Sequence, residues 1–298
     1  MSKKILGIIV VIIIIVSSVV AYWYTQKKEE GKTVMKVQND DLVEVNYTGK
    51  FINGTVFDTS IESVANDENI SKSYSFKSRT FYSPLKFTVG SGRMIKGFDK
   101  GVLNMTVGET KSITVLPEDG YGEPHDDLFI IINKTQSVPL YETISSQKFH
   151  ELYPNEPLET GVSFIHYFWK WNVTIEDIDG DNVTILNRPD INSTISVFSW
   201  NSTIIEIDSG YSGGEGRILL QHNPAENITV NKEKTEFIMI DNEAQNYVIS
   251  QINIGNSSVS DIGIVSSVDT DTFTIDYNPE VVGKTLIFEV TIISISRG

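Results

Sequence analysis

Residues 84–98, Pro-Leu-Lys-Phe-Thr-Val-Gly-Ser-Gly-Arg-Met-Ile-Lys-Gly-Phe, constrain what this chain can fold into more than any other stretch. Leu85–Val89 reads as a strand, and the glycines at 90, 92 and 97 interrupt the pattern directly after it. On its own this would be an ordinary strand and turn. It gains meaning from its position between Tyr47-Thr48-Gly49 with Phe57-Asp58 before it and Gly120-Tyr121-Gly122 after it.

The set resembles the FKBP-type prolyl isomerases in order and spacing. The interval from Tyr47 to Phe57-Asp58 is similar to the family's tyrosine strand and Phe-Asp pair. Met94 and Ile95 match the residues that open a short helix under the ligand, and Met105, Gly108-Glu109 and the strand Lys111–Leu116 follow in the family's order. Lys284–Ile292 resembles the closing strand. The expected fold is therefore α+β: an antiparallel sheet wrapped on a short helix. The resemblance implies that Asp58, Tyr121 and Ile95 carry the chemistry, while Tyr47, Phe57, Leu85, Met94, Phe98, Leu128 and Phe288 line an aromatic cup for the substrate. Ile95 would hold a substrate carbonyl with its backbone N–H and Tyr121 another with its hydroxyl. Asp58 would orient Tyr47 or face the twisting amide. Phe87 is read as core. Three positions depart from the family pattern: Phe98 where many members have Trp, Leu85 where Phe is common, and Arg93 where an acidic residue is common.

Two stretches lengthen the chain relative to the smallest members. Thr59–Ser83 is a polar insertion, read as a flap beside the cup. The longer one, 133–278, sits where the SlyD-like branch inserts a domain that binds unfolded chains. It reads as β-rich, with short runs at Trp169–Glu176, Asn182–Leu186, Thr194–Phe198, Thr203–Ile207, Arg217–Gln221 and Thr235–Asp241. Val183–Pro189, Ile218–Pro224 and Phe273–Pro279 echo one another as an apolar strand ending in a proline turn, which suggests a duplicated flap. The closing strand could be Thr194–Ile207 or Lys284–Ile292, and the latter is nearer the family pattern. The expected division is an anchor at 1–24, a linker at 25–38, the FKBP part at 39–132 and 279–298, and the insertion at 133–278.

Ile5–Tyr24 is a run of 20 residues without a charge, long enough at ~1.5 Å per residue to cross a ~30 Å hydrocarbon layer. Lys3 and Lys4 precede it, and Tyr22, Trp23 and Tyr24 would mark the far interface. A cleaved signal peptide ending near Val19-Val20-Ala21 is the rival reading. Asn-x-Ser/Thr occurs at Asn46, Asn53, Asn69, Asn104, Asn133, Asn172, Asn182, Asn192, Asn201, Asn227 and Asn256, eleven of 21 Asn. With Ser and Thr at roughly 18% of the chain, about four would arise by chance, so glycans on a body facing outside the cytoplasm are expected.

A net charge of −15 excludes nucleic acid as a partner, since no basic stripe could neutralise phosphates. There is no Cys and the four His are scattered, so neither disulfide, metal nor cofactor enters the reading. The expected function is peptidyl-prolyl cis-trans isomerisation with chaperone-like holding of proline-containing unfolded or nascent exported chains. The alternative is a catalytically weak cell-surface binding module or holdase.

Overall fold

The computed structural model describes residues 15–23, 34–231 and 262–297. Most of the expected membrane span 5–24 lies outside them, as do the expected strand Thr235–Asp241 and the sequon at Asn256. Residues 15–23 are helical, and among the described residues no helix is long and apolar enough to cross a membrane. The chain divides into two compact units: residues up to Tyr121 together with 284–298, and Gly122–Gly283. The division falls at 121/122 rather than at the expected 132/133, because Phe129–Asn133 pairs with Thr272–Asp276 inside the inserted unit.

In the first unit, strand Leu42–Phe51 is the central member of an antiparallel sheet. One edge pairs along its whole length with Leu286–Ser296, from Leu42↔Ser296 to Phe51↔Leu286. The other is shared by Leu85–Thr88 on its first half and Val56–Thr59 on its second. Thr110–Val115 adds to the far side of Leu286–Ser296. The closing strand is thus the C-terminal one, and Thr194–Ile207 belongs to the second unit. Alternation along the central strand buries Val43, Val45 and Tyr47, and Phe288, Val290 and Ile292 do the same from the closing strand. The short helix Lys96–Gly101 packs on Thr110–Val115. A Cβ at Gly97 would lie 2.6 Å from Val115, and one at Gly101 2.4 Å from Ile113. Glycine at both positions is what lets this helix approach the sheet.

Among the described residues the second unit holds three four-stranded antiparallel sheets with one plan. Three consecutive strands, Phe129–Asn133, Thr135–Pro139 and Tyr141–Ser145, form a continuous spine, and each adds to a different three-stranded meander. Tyr141–Ser145 joins Ser163–Ile165, Asn172–Asp179 and Asn182–Arg188. Thr135–Pro139 joins Thr194–Ile195, Asn201–Asp208 and Arg217–Asn223. Phe129–Asn133 joins Thr229–Asn231, Ile262–Val268 and Thr272–Asp276.

The sequence echo is the third meander strand of each sheet, so the repeat is threefold rather than a duplication. Backbone hydrogen bonds repeat with it at a period of six along the spine. The N–H groups of Tyr277, His222 and Asn187 donate to the carbonyls of Leu128, Lys134 and Leu140 at 2.9, 2.6 and 2.9 Å. Those of Lys134, Leu140 and Ser146 donate to Asp271, Gly216 and Asp181, the residue before each third strand. Pro189, Pro224 and Pro279 follow those strands, where a residue lacking an N–H cannot extend the ladder. The ends of the unit meet where Gly283 N–H donates to Gly122 O at 2.8 Å. Gly283 has φ of 68° and a Cβ there would sit 2.8 Å from Pro124, so both conformation and space require glycine.

Candidate active site

Four rings of the first unit meet: Tyr47, Phe57, Phe98 and Phe288, each at most 8% exposed. Phe288 is the hub, with centroids 5.1 Å from Phe98, 5.6 Å from Phe57 and 6.5 Å from Tyr47. Three of these contacts, Tyr47–Phe98, Phe57–Phe288 and Phe98–Phe288, are edge-on, with interplanar angles of 83°, 90° and 82°. That geometry sets the positive edge of one ring on the negative face of the next. Phe87, read as core, closes the cluster from behind, 5.8 Å from Phe98. Gly49 explains itself here, because a Cβ would lie 2.6 Å from Phe57 and 3.1 Å from Phe288. The glycine of Tyr47-Thr48-Gly49 lets these two rings lie against the strand.

Beside the rings lies a charged cluster. Tyr47 Oη donates to Asp58 Oδ2 at 2.5 Å, and Arg79 Nη2 reaches Asp58 Oδ1 at 2.5 Å and Tyr47 Oη at 3.3 Å. Burial and then the bond to Asp58 push the Tyr47 hydroxyl up to about 12, so it stays a donor at any physiological pH. Of the two roles expected for Asp58, orienting Tyr47 is the one this geometry displays. The Tyr47 backbone is fixed from the other side: Ser60 Oγ accepts its N–H at 2.9 Å and Thr59 Oγ1 donates to its carbonyl at 2.9 Å.

Ile95 is the N-cap of helix Lys96–Gly101, its carbonyl accepting from Phe98 N and Asp99 N at 3.1 Å each. Its own N–H has no protein acceptor among the described residues, as a first-turn donor awaiting a ligand would have. Asp99 braces the loop before it by accepting Gly90 N–H at 3.0 Å on both oxygens. Tyr121 is 49% exposed and its hydroxyl likewise has no protein partner among the described residues. Packing around the ring, then the charge of Asp58, raises its hydroxyl above the ordinary value. Met94, Ile95 and Leu85 are half-buried, Leu85 standing opposite Val45 in the sheet.

Leu128 is a correction. It is fully buried in the core of the second unit, where its carbonyl accepts Tyr277 N–H, so no surface of it remains to meet a substrate. Arg79 was not anticipated. It lies 21 residues beyond Asp58 inside a polar insertion, and no spacing rule links the two. Among the described residues no group of three or more His, Asp or Glu could hold a metal ion.

The sequence profile of FKBP-type peptidyl-prolyl cis-trans isomerases matches residues 33–138. A short-type peptidyl-prolyl cis-trans isomerase of Methanocaldococcus jannaschii is 41% identical over 86 residues, covering 29% of this chain and 51% of the relative. FK506-binding protein 2 of Yarrowia lipolytica is 38% identical over 88 residues, 30% of this chain and 49% of the relative. FK506-binding protein 1A of Aspergillus fumigatus is 34% identical over 95 residues, 32% of this chain and 69% of the relative. The chain belongs to the FKBP-type peptidyl-prolyl cis-trans isomerase family. It spans about half the length of the first two of these relatives.

Proposed function

We propose that this chain catalyses cis/trans isomerisation of X-Pro bonds and that residues 122–283 hold the unfolded, proline-containing chains it acts on. The observation that carries this reading is the pairing of an aromatic cup with two donors left without protein partners among the described residues, the Ile95 N–H and the Tyr121 hydroxyl. An X-Pro amide rotates over a barrier of ~18–20 kcal/mol, most of it lost resonance. No nucleophile or proton transfer is needed. The planar amide has the larger charge separation and loses more when water is removed, so a dry ring-lined cup lowers the barrier by favouring the twisted form. Ile95 N–H and Tyr121 Oη–H would each hold a substrate carbonyl and fix the chain on either side of the rotating bond. Asp58 keeps the Tyr47 ring in the wall.

We further read the chain as a relative of the SlyD-like branch, tethered by residues 5–24 with its body outside the cytoplasm, serving exported or surface proteins. The charge-free run at 5–24 supports the tether. The sequons support the orientation: of those within the described residues every asparagine is exposed except Asn46, which is half-buried with Oδ1 accepting from Ser60 Oγ at 3.3 Å. The test is acceleration of a short X-Pro peptide by the full chain, with Asp58→Ala and Tyr121→Phe beside it. A rate above background that falls in both variants supports the isomerase reading. No acceleration, with aggregation of an unfolded client still suppressed, leaves holding as the function and removes the catalytic roles.

A further inference from the structure

The polar insertion after Asp58 is pinned at two places. Val56 N–H donates to Ser71 O and Ser73 N–H to Val56 O, both at 2.9 Å, which ties residues 71–73 to strand Val56–Thr59. Further on, Arg79 reaches Asp58 and Tyr47, and its own backbone N–H donates to Tyr82 Oη at 3.0 Å. The guanidinium uses a single nitrogen, Nη2, for both side-chain contacts. Among the described residues Nε and Nη1 have no protein partner, and the side chain is 42% exposed. Three N–H donors therefore stand unengaged beside the carboxylate that orders the cup.

Of the acidic residues in these segments, Glu62 and Glu118 are exposed and unpaired among the described residues, and three others are occupied. Asp58 is taken by Arg79 and Tyr47, Asp99 by Gly90 N–H, and Asp119 by Lys100 at 3.1 Å. The basic residues flanking Met94 and Ile95 in the chain are not: Arg93 and Lys96 are exposed and make no ion pair or hydrogen bond among the described residues. On a chain of net charge −15 the segments that build the cup thus leave cationic donors open. Attraction by such groups acts within about a Debye length, ~8 Å at physiological salt.

We infer that Arg79 makes the insertion part of the substrate site and selects X-Pro segments carrying a carboxylate within one residue of the proline. This rests on the isomerase reading above. Both parallel edges of the guanidinium include Nη2, which Asp58 and Tyr47 already engage, so Nε–H or an Nη1 N–H would each give a substrate carboxylate one charge-assisted hydrogen bond. Arg79 also positions Asp58 and Tyr47, so it acts on both the walls of the cup and the choice of substrate.

The experiment measures kcat/KM of the full chain on short peptides with Glu, Leu or Lys placed immediately before or immediately after the proline, for the unaltered chain and for Arg79→Gln and Arg79→Lys. Binding of the same peptides is followed by the amide resonance of Ile95. The unaltered chain should favour Glu over Lys by about fivefold or more in at least one placement, and the ratio should shrink with added salt. Arg79→Gln should bring the ratio close to one, and Arg79→Lys should keep attraction with a smaller ratio. A chain that is active but indifferent to charge, or whose preference survives Arg79→Gln, overturns the inference and leaves the isomerase reading intact. If no peptide is accelerated, the isomerase reading fails, and the binding ratio alone decides whether Arg79 selects acidic chains.

Discussion

The two units spend aromatic residues in opposite ways. The first gathers Tyr47, Phe57, Phe87, Phe98 and Phe288, and among the described residues it leaves the Ile95 N–H and the Tyr121 hydroxyl without a protein acceptor. The second is richer in rings, stacking Trp169 on Trp171 at 5.1 Å and Phe198 on Trp200 at 5.5 Å, and it pairs the indole N–H of two of its tryptophans with buried polar side chains. Trp171 Nε1–H donates to Asn187 Oδ1 at 2.7 Å, and Asn187 Nδ2 donates to Glu142 at 2.7 Å. Trp200 Nε1–H points at His222 Nδ1 at 3.3 Å, while His222 Nε2 meets Gln136 at 3.1 Å. Asn187 and His222 occupy the same place in their repeats, so one device is used twice. Ring density therefore does not mark a site here.

The largest test of that contrast is Trp200→Ala. It removes ring contacts to Phe198, His222 and Phe273, while His222 Nδ1 keeps Ser202 Oγ at 2.8 Å. Truncations of this kind cost about 3–5 kcal/mol. In a unit of this size that lowers the thermal midpoint by roughly 10 °C. Three of the four tryptophans, Trp169, Trp171 and Trp200, lie in the second unit, so in a Trp23→Phe background tryptophan fluorescence reports its unfolding. Catalysis on a short peptide should change less than twofold below that midpoint; an equal loss of activity would show that the second unit's core and the cup are not separate.

Acid provides the next contrast. Burial drives His222 down to about 4, since a charged imidazole there would have no counterion. The folded form prefers it neutral, so its contribution is fully present above the unfolded value near 6.5 and is lost as pH falls from 6.5 to about 4. Integrated over that window the loss is roughly 3 kcal/mol. Glu142, held below its ordinary value by His166 and Asn187 against the cost of burial, weakens the same unit further at lower pH. The first unit has no histidine, so between pH 7 and 5 denaturant midpoints read from tryptophan should fall while those read from the first unit's amide signals hold. Parallel decline in both would mean that His222 is not the cause.

Tyr121→Phe should do the reverse. Among the described residues the hydroxyl has no protein partner, so stability should stay within about 0.5 kcal/mol while kcat/KM on X-Pro peptides drops about tenfold, or ~1.4 kcal/mol of transition-state stabilisation. Unchanged kinetics would take Tyr121 out of the site.

What could be read from the chain follows the same division. The cup was legible because its rings come from strands whose order and glycines survive as motifs, with Gly49 and Gly97 present for space. Arg79 was not, because a side chain that acts from an insertion leaves no spacing to recognise. Leu128 was misplaced for a related reason. Its neighbours Phe129–Asn133 extend a family motif in sequence but pair with Thr272–Asp276 in space. In the second unit the third strand of each repeat was visible as an echo, since 183, 185 and 187 alternate inward and end at a proline, as do 218, 220, 222 and 273, 275, 277. The spine was hidden because its strands are joined by single residues, Lys134 and Leu140, without Gly or Asn turn chemistry.

The smallest expected effect separates a close ion pair from a useful one. Lys50 Nζ lies 2.7 Å from Glu289 Oε2, across the pairing of the central and closing strands, and looks as strong as the Arg79–Asp58 contact by distance alone. Lys50 is 28% exposed in its side chain and Glu289 53%, so water screens the pair and both side chains give up rotamer freedom to hold it. It also orders nothing else, whereas Asp58 in addition fixes the Tyr47 hydroxyl. Lys50→Ala should therefore shift the denaturant midpoint of the first unit by no more than about 0.5 kcal/mol and leave kcat/KM unchanged. Arg79→Gln, at a similar distance from its carboxylate, should alter substrate choice. A Lys50→Ala effect on peptide selection as large as that of Arg79→Gln would mean that general surface charge, and not the insertion's arginine, sets the preference.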